Sequence, residues 1–570
     1  RWSWGIVPVH KLVDTCAAEF AAETPYFYAT YEDEDEAPPL PPPKTVVIGA
    51  GPIRIGQGIE FDYCSVKAAQ ALHRAGVAAI MLNNNPETVS TDFDASDRLY
   101  VVPLDAESVL DVLVHEAAGR LDAVPPVVVQ FGGQTAINLA GELAAAGVPI
   151  LGTDQEAIDI AEDRRRFERF LRELGIPQPP GAGVLSLEEA LAVAERIGYP
   201  VLVRPSYVLG GRAMEVVYRR EQLERYLETS GAFASGRPVL IDKYLDGVEL
   251  EVDALADGRE VLIPGVMQHI ERAGVHSGDS FAVYPAVELP HEHVETLVRY
   301  TTEIALALGV RGLMNIQFVL HGGTIYVLEV NPRASRTVPF LSKVTGVPMV
   351  EVATRILLGQ TLAEQGYRGG LWPRQPLVAV KAPVFSMAKL HGVDVQLGPE
   401  MKSTGEAMGI DRTFEAALAK AFLAAGLAIP RGAPVLLSLA DEDKPAGVEL
   451  ARAMVELGYP IVATEGTAAY LRSCGVPVEL VVRHIGHGHP DVLEVILDRT
   501  VRGVINTPGQ DEGTIQDGFL IRRAAVERGM PCLTSLDTAR ALVRALLGCT
   551  TYTVQPLPAY RTRETVSALA

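Results

Sequence analysis

Two neighbouring apolar runs, Leu313-Met314-Asn315-Ile316-Gln317-Phe318 and Thr324-Ile325-Tyr326-Val327-Leu328-Glu329-Val330-Asn331, carry polar side chains where a buried strand is expected to be apolar. Both read as strands, paired as a hairpin. Glu329 and Asn331 stand two apart, so both project to one face. Gln317, on the preceding strand, comes alongside. A polar trio inside apolar strands is costly without a partner, and hard oxygen donors of this kind suit magnesium. Arg333 and Arg336 follow at once in Asn331-Pro332-Arg333-Ala334-Ser335-Arg336. Phosphoryl transfer needs metal ions bridging phosphates and cations to hold developing charge, and this segment supplies both. The plain alternative is a surface strand end with solvated charges, against which the apolar flanks argue.

At 570 residues the chain exceeds what one hydrophobic core holds, so roughly three or four domains are expected. Apolar residues make up 48% and charged residues 21%, the balance of a globular chain. A net charge of -21 argues against general binding to nucleic acid or to an anionic membrane surface. Cys16, Cys64, Cys474, Cys532 and Cys549 lie far apart without a CxxC pair, which suggests reduced thiols rather than a disulfide framework or a zinc site. No apolar run reaches the roughly 18 residues that cross a bilayer; the richest, Ala416 to Ile429, contains Lys420 and reads as an amphipathic helix. The expectation is a soluble, cytoplasmic protein. The opening RWSWGIVPVHK resembles neither a signal nor a transit peptide and lacks an initiating Met, so the start is expected to lie inside something longer.

Along the chain, residues 1–31 read as the end of a small helical unit, and 32–43, EDEDEAPPLPPP, as an acidic and Pro-rich linker. Residues 44–153 alternate strands (Thr45 to Ile48, Ala79 to Leu82, Val127 to Gln130) with helices (Tyr63 to Arg74, Thr135 to Ala146), a doubly wound α/β unit. Residues 154–369 mix charged helices with β-rich runs and read as α+β. Residues 370–430 form a connecting part, and 431–570 resume the α/β rhythm with strands Pro434 to Leu439, Ile461 to Thr464 and Gly503 to Asn506. The fold class is thus α/β and α+β, multidomain.

Four further loops are candidates. Gly49-Ala50-Gly51-Pro52-Ile53-Arg54-Ile55-Gly56 follows a strand as a phosphate loop does, but its spacing is not GxGxxG, and Asn83, Asn84 and Asn85 stand where a dinucleotide ribose needs an acid; a structural turn is the alternative. Phe131-Gly132-Gly133-Gln134-Thr135 fits an anion at a helix N-terminus or a simple cap equally well. Arg204 to Arg212 sets a Gly pair between two guanidinium groups, which suits a polyphosphate or a plain hairpin turn. Gly274-Val275-His276-Ser277-Gly278-Asp279-Ser280 looks like a site loop, although a lone His276 is more often structural than basic. No GxSxG elbow supports a hydrolase.

VRPSYVLGGRAM, GVHSGDS, RGLMNIQF and LEVNPRASRTVPF together resemble the ATP-grasp family, and within it the carbamoyl phosphate synthase large subunit. VDTCAAEF at 13–20, GQGIEFDYC at 56–64, NPETVSTDFD at 85–94 and LGPEMKSTGE at 397–406 extend the likeness over nearly the whole chain. That large subunit has two homologous halves, each with an ATP-grasp site, followed by a methylglyoxal synthase-like regulatory domain. This sequence resembles the second half. The resemblance implies the end of a helical oligomerisation domain at 1–31, a pre-ATP-grasp domain at 44–153, an ATP-grasp domain at 154–369, the rest of the synthetase at 370–430 and the regulatory domain at 431–570.

The resemblance further implies that Arg164, Arg204, Gly210, Gly211, Lys243, Leu245, Glu249, Gly274, Val275, His276 and Ser277 surround ATP. Gln317, Glu329 and Asn331 would hold two Mg2+ or Mn2+ ions, and Arg333 and Arg336 would stabilise the transferring phosphoryl group and bound carbamate. The implied reaction is attack of carbamate on the γ-phosphorus of ATP in a closed, tunnelled site, the second ATP-dependent step of glutamine-dependent carbamoyl phosphate synthesis for pyrimidines and arginine. A glutamine amidotransferase small subunit, the carboxyphosphate-forming N-terminal half on the same or another chain, and an oligomer are the implied partners. In the terminal domain Lys444, Thr464, Gly466, Thr467, Arg483, Asn506 and Thr507 match positions that bind a nucleotide phosphate effector such as UMP. Pro508 and Arg483 depart from the usual residues there. Ala382 lacks the carboxylate that helps bind ornithine in some relatives, while Glu271 and Asp279 are present. The competing readings are another ATP-grasp carboxylate-amine ligase and a non-catalytic nucleotide sensor.

Overall fold

In a computed structural model of the chain, the apolar run Lys44–Ile48 forms a strand whose last four residues are all buried, as a parallel strand covered on both faces requires. Residues 1, 15, 16, 18, 20–25, 206–210, 212, 231, 232, 234–237, 391, 508, 510, 511, 550 and 563–570 fall outside the described structure. The chain divides into two units, one of residues 1–183, 250–266 and 289–374, the other of residues 184–249, 267–288 and 375–570.

In the first unit Lys44–Ile48 lies in a six-stranded sheet, ordered Val9–Leu12, Tyr26–Thr30, Arg98–Val101, Ala78–Asn83, Lys44–Ile48, Val127–Val128. The first pair is antiparallel and the others are parallel. The expected tail of a helical unit is therefore corrected: among the described residues, 9–12 and 26–30 are strands of this sheet. Segments of four and five residues are too short for a periodicity to declare itself. The expected helix Thr135 to Ala146 is two short helices, Gly133–Ile137 and Ala140–Ala145. The helix Glu60–Arg74 begins three residues before its expected start.

A second sheet in this unit holds the hairpin Arg311–His321 and Thr324–Asn331. Its two-residue turn, Gly322-Gly323, has φ of 56° and 77°, the left-handed pair that a tight hairpin needs and that Gly adopts without Cβ strain. The unit's part of strand Val248–Asp257 lies beside Arg311–His321.

In the second unit Val201–Pro205 runs antiparallel between Val239–Lys243 and Glu215–Val217. Ala282–Tyr284, Val378–Val384 and Gly405–Asp411 form an antiparallel ladder against which the helix Phe414–Ala424 packs. That helix covers most of the expected amphipathic stretch. The terminal strands Leu480–Val482, Ile461–Thr464, Val435–Ser438, Gly503–Asn506 and Cys532–Leu533 make a five-stranded, all-parallel sheet in that order. No helix among the described residues is long and apolar enough to cross a membrane.

Candidate functional site

The hairpin register places Gln317 directly opposite Glu329, and Asn315 opposite Asn331. A register shift between Gln317 and Phe318 marks a bulge, the device by which strands re-aim side chains beside sites. Gln317, Glu329 and Asn331 are all half-buried. Asn331 donates through Nδ2 to Glu329 Oε1 at 3.0 Å, and its Oδ1 accepts from Arg333 Nη2 at 3.1 Å. Arg333 also donates to Gln134 Oε1 at 3.3 Å and to the Ala334 carbonyl at 3.0 Å, with its guanidinium 5.9 Å from the Phe61 ring centre. Desolvation pulls the Arg333 guanidinium below its usual range, opposed by Glu329, Glu162 and Asp253.

The donor chemistry fits magnesium: a carboxylate and an amide oxygen face one another across two strands. Asn331 Oδ1 accepts one hydrogen bond, from Arg333, and its second lone pair is available to a cation. Arg336 is held differently, by a two-point ion pair to Glu60 at 3.0 and 3.3 Å. Arg164 opens the helix Arg164–Leu174 and donates to the Pro179 carbonyl at 3.3 Å.

Beneath the arginine loop lies a cluster that sequence reasoning missed. Asn315 donates to Glu251 at 2.9 Å and Asp253 at 3.0 Å, Ser335 donates to Asp253 at 2.6 Å, and Thr337 bonds the other Asp253 oxygen. Burial, with Glu251 adding to it, pushes the Asp253 carboxyl up to about 7. The hydroxyls on either side of Arg336 are thus tied to strand Val248–Asp257. The signal was present in Val248-Glu249-Leu250-Glu251-Val252-Asp253, where carboxylates occupy every second place in an apolar strand.

Two of the glycine loops are engaged by protein. Gly51 N donates to Asn83 Oδ1 at 2.9 Å, and a Cβ on Gly49 would lie 2.7 Å from Asn83 Cγ, which favours the structural-turn reading. Thr135 donates to Gln57 at 2.7 Å while Gln134 braces Arg333, so this loop supports the arginine.

In the second unit, Arg204 Nη2 lies 3.8 Å from Asp242 Oδ2. Lys243 donates to the Gly198 and Tyr199 carbonyls at 2.9 and 2.8 Å. Leu245 and Val275 are half-buried, and the Glu249 carboxylate lies 3.1 Å from His269 Nδ1. Gly211 has φ of 68°, and a Cβ there would strike the Pro399 carbonyl. Gly274, at φ of 103°, leaves room for the Tyr244 ring. His276 Nδ1 accepts from Gly278 N at 3.0 Å, capping the turn Ser277–Asp279, and Lys381 donates to the Ser277 carbonyl at 2.9 Å. Gly210 lies outside the described residues. A cavity of about 240 Å³ nearby is lined in part by Glu271, Asp279, Thr534 and Thr538. Glu271 accepts from Phe281 N at 2.7 Å and Thr538 at 2.6 Å, and burial pushes it up to about 7.

The terminal candidates gather at the carboxyl ends of the parallel strands, where open α/β sheets bind ligands. Lys444 opens the helix Lys444–Glu456 and pairs with Asp441; its Nζ stands 3.1 Å from where a Gly466 Cβ would be. Thr464 is the N-cap of the helix Glu465–Ser473 and bonds Thr467 at 3.2 Å. Thr467 and Thr507 accept from Leu439 N and Ala440 N at 3.0 and 2.8 Å. Asn506 is occupied by the Ser438 carbonyl and Arg522, and Arg483 pairs with Glu465. Pro508 lies outside the described residues.

Residues 42–160 match the carbamoyl phosphate synthase pre-ATP-grasp domain, 163–365 the carbamoyl-phosphate synthase L chain ATP binding domain, and 446–534 the MGS-like domain. The chain is 86% identical over 569 residues to a carbamoyl phosphate synthase large chain of Thermomicrobium roseum, all of this chain matching 53% of that protein, so it spans about half its relative's length. Among solved structures it resembles the biotin carboxylase domain of the Hydrogenobacter thermophilus 2-oxoglutarate carboxylase, at TM-score 0.52 and 21% identity over 67% of this chain and 89% of that one. It also resembles a Campylobacter jejuni biotin carboxylase, at TM-score 0.51 and 18% identity over 67% of this chain and 90% of that one. At such identity these two describe a shared fold alone.

Proposed function

The chain belongs to the carbamoyl phosphate synthase large-chain family, and from that premise we propose that it phosphorylates carbamate with MgATP. This is the second ATP-dependent step of glutamine-dependent carbamoyl phosphate synthesis, serving pyrimidine and arginine formation in the cytoplasm. The observation that carries the reading is the Gln317–Glu329 pairing with Arg333 two residues beyond Asn331.

In this reading Gln317, Glu329 and Asn331 would hold two divalent ions, Mg2+ or Mn2+, which would supply neutralisation of the phosphate charge. A carbamate oxygen forms the new bond to the γ-phosphorus, the bond to the β–γ bridging oxygen breaks, and ADP leaves with that electron pair. Arg333 receives the phosphoryl charge, and Gln134 and Asn331 fix its plane. Arg336, immobilised by Glu60, orients the carbamate. The Asp253 cluster holds the loop between them, so catalysis comes from placement and charge, with little covalent work by the protein. Arg164, Arg204, Gly210, Gly211, Lys243, Leu245, Glu249, Gly274, Val275, His276 and Ser277 are assigned to ATP on the resemblance. The terminal loops are assigned to a phosphate-bearing nucleotide effector. The N-terminal half and a glutamine amidotransferase small subunit supply carbamate, and the enzyme works as an oligomer.

The test is to supply the chain with MgATP and carbamate and measure ADP and carbamoyl phosphate together. Carbamate-dependent formation of both is expected. ADP release driven by a different acid and amine, without carbamoyl phosphate, would transfer the chain to the ligase alternative.

A further inference from the structure

The active loops leave untouched a cluster at the start of the first sheet. His10 lies on the strand Val9–Leu12, His115 in the last turn of the helix Ala106–Glu116, and Asp35 in the acidic segment between strands. One ligand atom from each of the three falls within 4.8 Å of the others. The His10 and His115 ring centres are 4.3 Å apart, and His115 Nδ1 is 3.3 Å from Asp35 Oδ2.

Their hydrogen bonding is incomplete in a specific way. His115 Nε2 lies 2.6 Å from the Ala37 carbonyl, which only accepts, so that nitrogen carries the proton. In neutral His115 the Nδ1 lone pair then faces a carboxylate oxygen, an arrangement that calls for a cation. Asp35 Oδ1 is engaged by the His10 and Ala37 N–H groups, at 3.1 and 3.2 Å, and Oδ2 is turned to His115. His10 is wholly buried, edge-on to Tyr100, and neither of its ring nitrogens has a hydrogen-bond partner. A buried imidazole without partners is costly unless something else binds it. The neighbouring Glu116 supplies no answer, being saturated by Lys44, Arg98, Tyr100 and Leu40 N.

We propose that His10, Asp35 and His115 form a binding site for a borderline divalent transition ion of the zinc type. Two imidazole nitrogens and one carboxylate oxygen are its donor set, whereas magnesium takes oxygens. Bonds of about 2.0–2.1 Å to a tetrahedral ion set neighbouring ligand atoms about 3.3 Å apart, which the Asp35–His115 pair already matches. The Ala37 carbonyl holds the His115 tautomer, as outer partners of ligating histidines do. Asp35 is partly exposed, so water reaches the fourth position. The ion ties the acidic, Pro-rich segment and the first strand to the helix Ala106–Glu116, independently of the phosphoryl-transfer assignment.

The test is calorimetric titration of the full, chelator-stripped chain with Zn2+ in excess Mg2+, repeated with Co2+ to read the intense visible bands of a tetrahedral nitrogen-bearing site. His10→Phe preserves an aromatic ring against Tyr100, and Asp35→Asn alters a partly exposed group, so one of them remains folded by circular dichroism. Wild-type chain is expected to bind one ion at this site, with affinity at least about 100-fold weaker in a folded variant and the cobalt bands lost. Absence of binding by the wild type, or binding and bands unchanged in a folded variant, overturns the site.

Discussion

Arg336 and Glu60, 276 positions apart in sequence, close on one another through two nitrogens and two oxygens inside one unit. Their side chains are 9% and 8% exposed, and a Cβ on Gly58 would come within 2.7 Å of Arg336 Nε, so Gly58 is the residue that lets the pair close. The pair fixes a guanidinium at the cost of dehydrating two charges.

Breaking one side of a buried pair is costly because the other charge stays behind. Glu60→Gln should destabilise the first unit by about 3–5 kcal/mol, and Arg336→Met added to it should recover much of the loss. Denaturant midpoints of the single and double variants read this directly. Equal losses in both would mean that the pair is not what Glu60 contributes.

Glu329→Gln keeps the shape of the side chain and removes the charge that faces the proposed ions. Carbamate-dependent ADP formation should fall by about 100-fold or more, with Mn2+ binding by paramagnetic resonance weakened in parallel. Full turnover together with unchanged Mn2+ affinity would end the metal assignment.

Asp253 binds its proton more tightly when folded, near 7, than a carboxyl does in an unfolded chain, about 3.9. Its contribution to stability is therefore complete in acid and is lost as pH rises from about 4 through 7. Melting midpoints recorded from pH 4 to 8 should fall less steeply in Asp253→Asn than in wild type. Glu271 adds a slope of the same sign in the other unit, so the difference between the two proteins, rather than the wild-type slope, is the quantity to compare.

Lys444 brings the only ammonium among the terminal candidates and stands over Gly466 at the head of a helix. Lys444→Met should weaken binding of a nucleoside monophosphate by about 10-fold or more, the worth of one charge-assisted contact. Calorimetry on the full chain measures it, and unchanged affinity would remove this lysine from the effector loops.

The hairpin was legible because each part of it is local: two neighbouring apolar runs with polar residues at strand spacing. Strands Ile461–Thr464 and Gly503–Asn506 were read to the residue for the same reason, being short apolar runs closed by turn residues. Glu60 was not legible as the partner of Arg336, since nothing in its helix announces a contact with a loop nearly three hundred positions later. Glu251 and Asp253 were missed because a strand with a charge at every second place also describes an ordinary half-solvated face; only burial distinguishes the two. His10 and Asp35 lie in segments read as a helical tail and a linker. Among the described residues the first holds two strands, and the second is docked, with Ala37 fully buried and Leu40 N bonded to Glu116.

Lys444, Thr464 and Thr507 stand at or beyond the carboxyl ends of three different strands, on the rim of a sheet whose side chains fill cores of their own. A side chain exchanged at one of these positions therefore alters the rim of the sheet and leaves the packing beneath it in place.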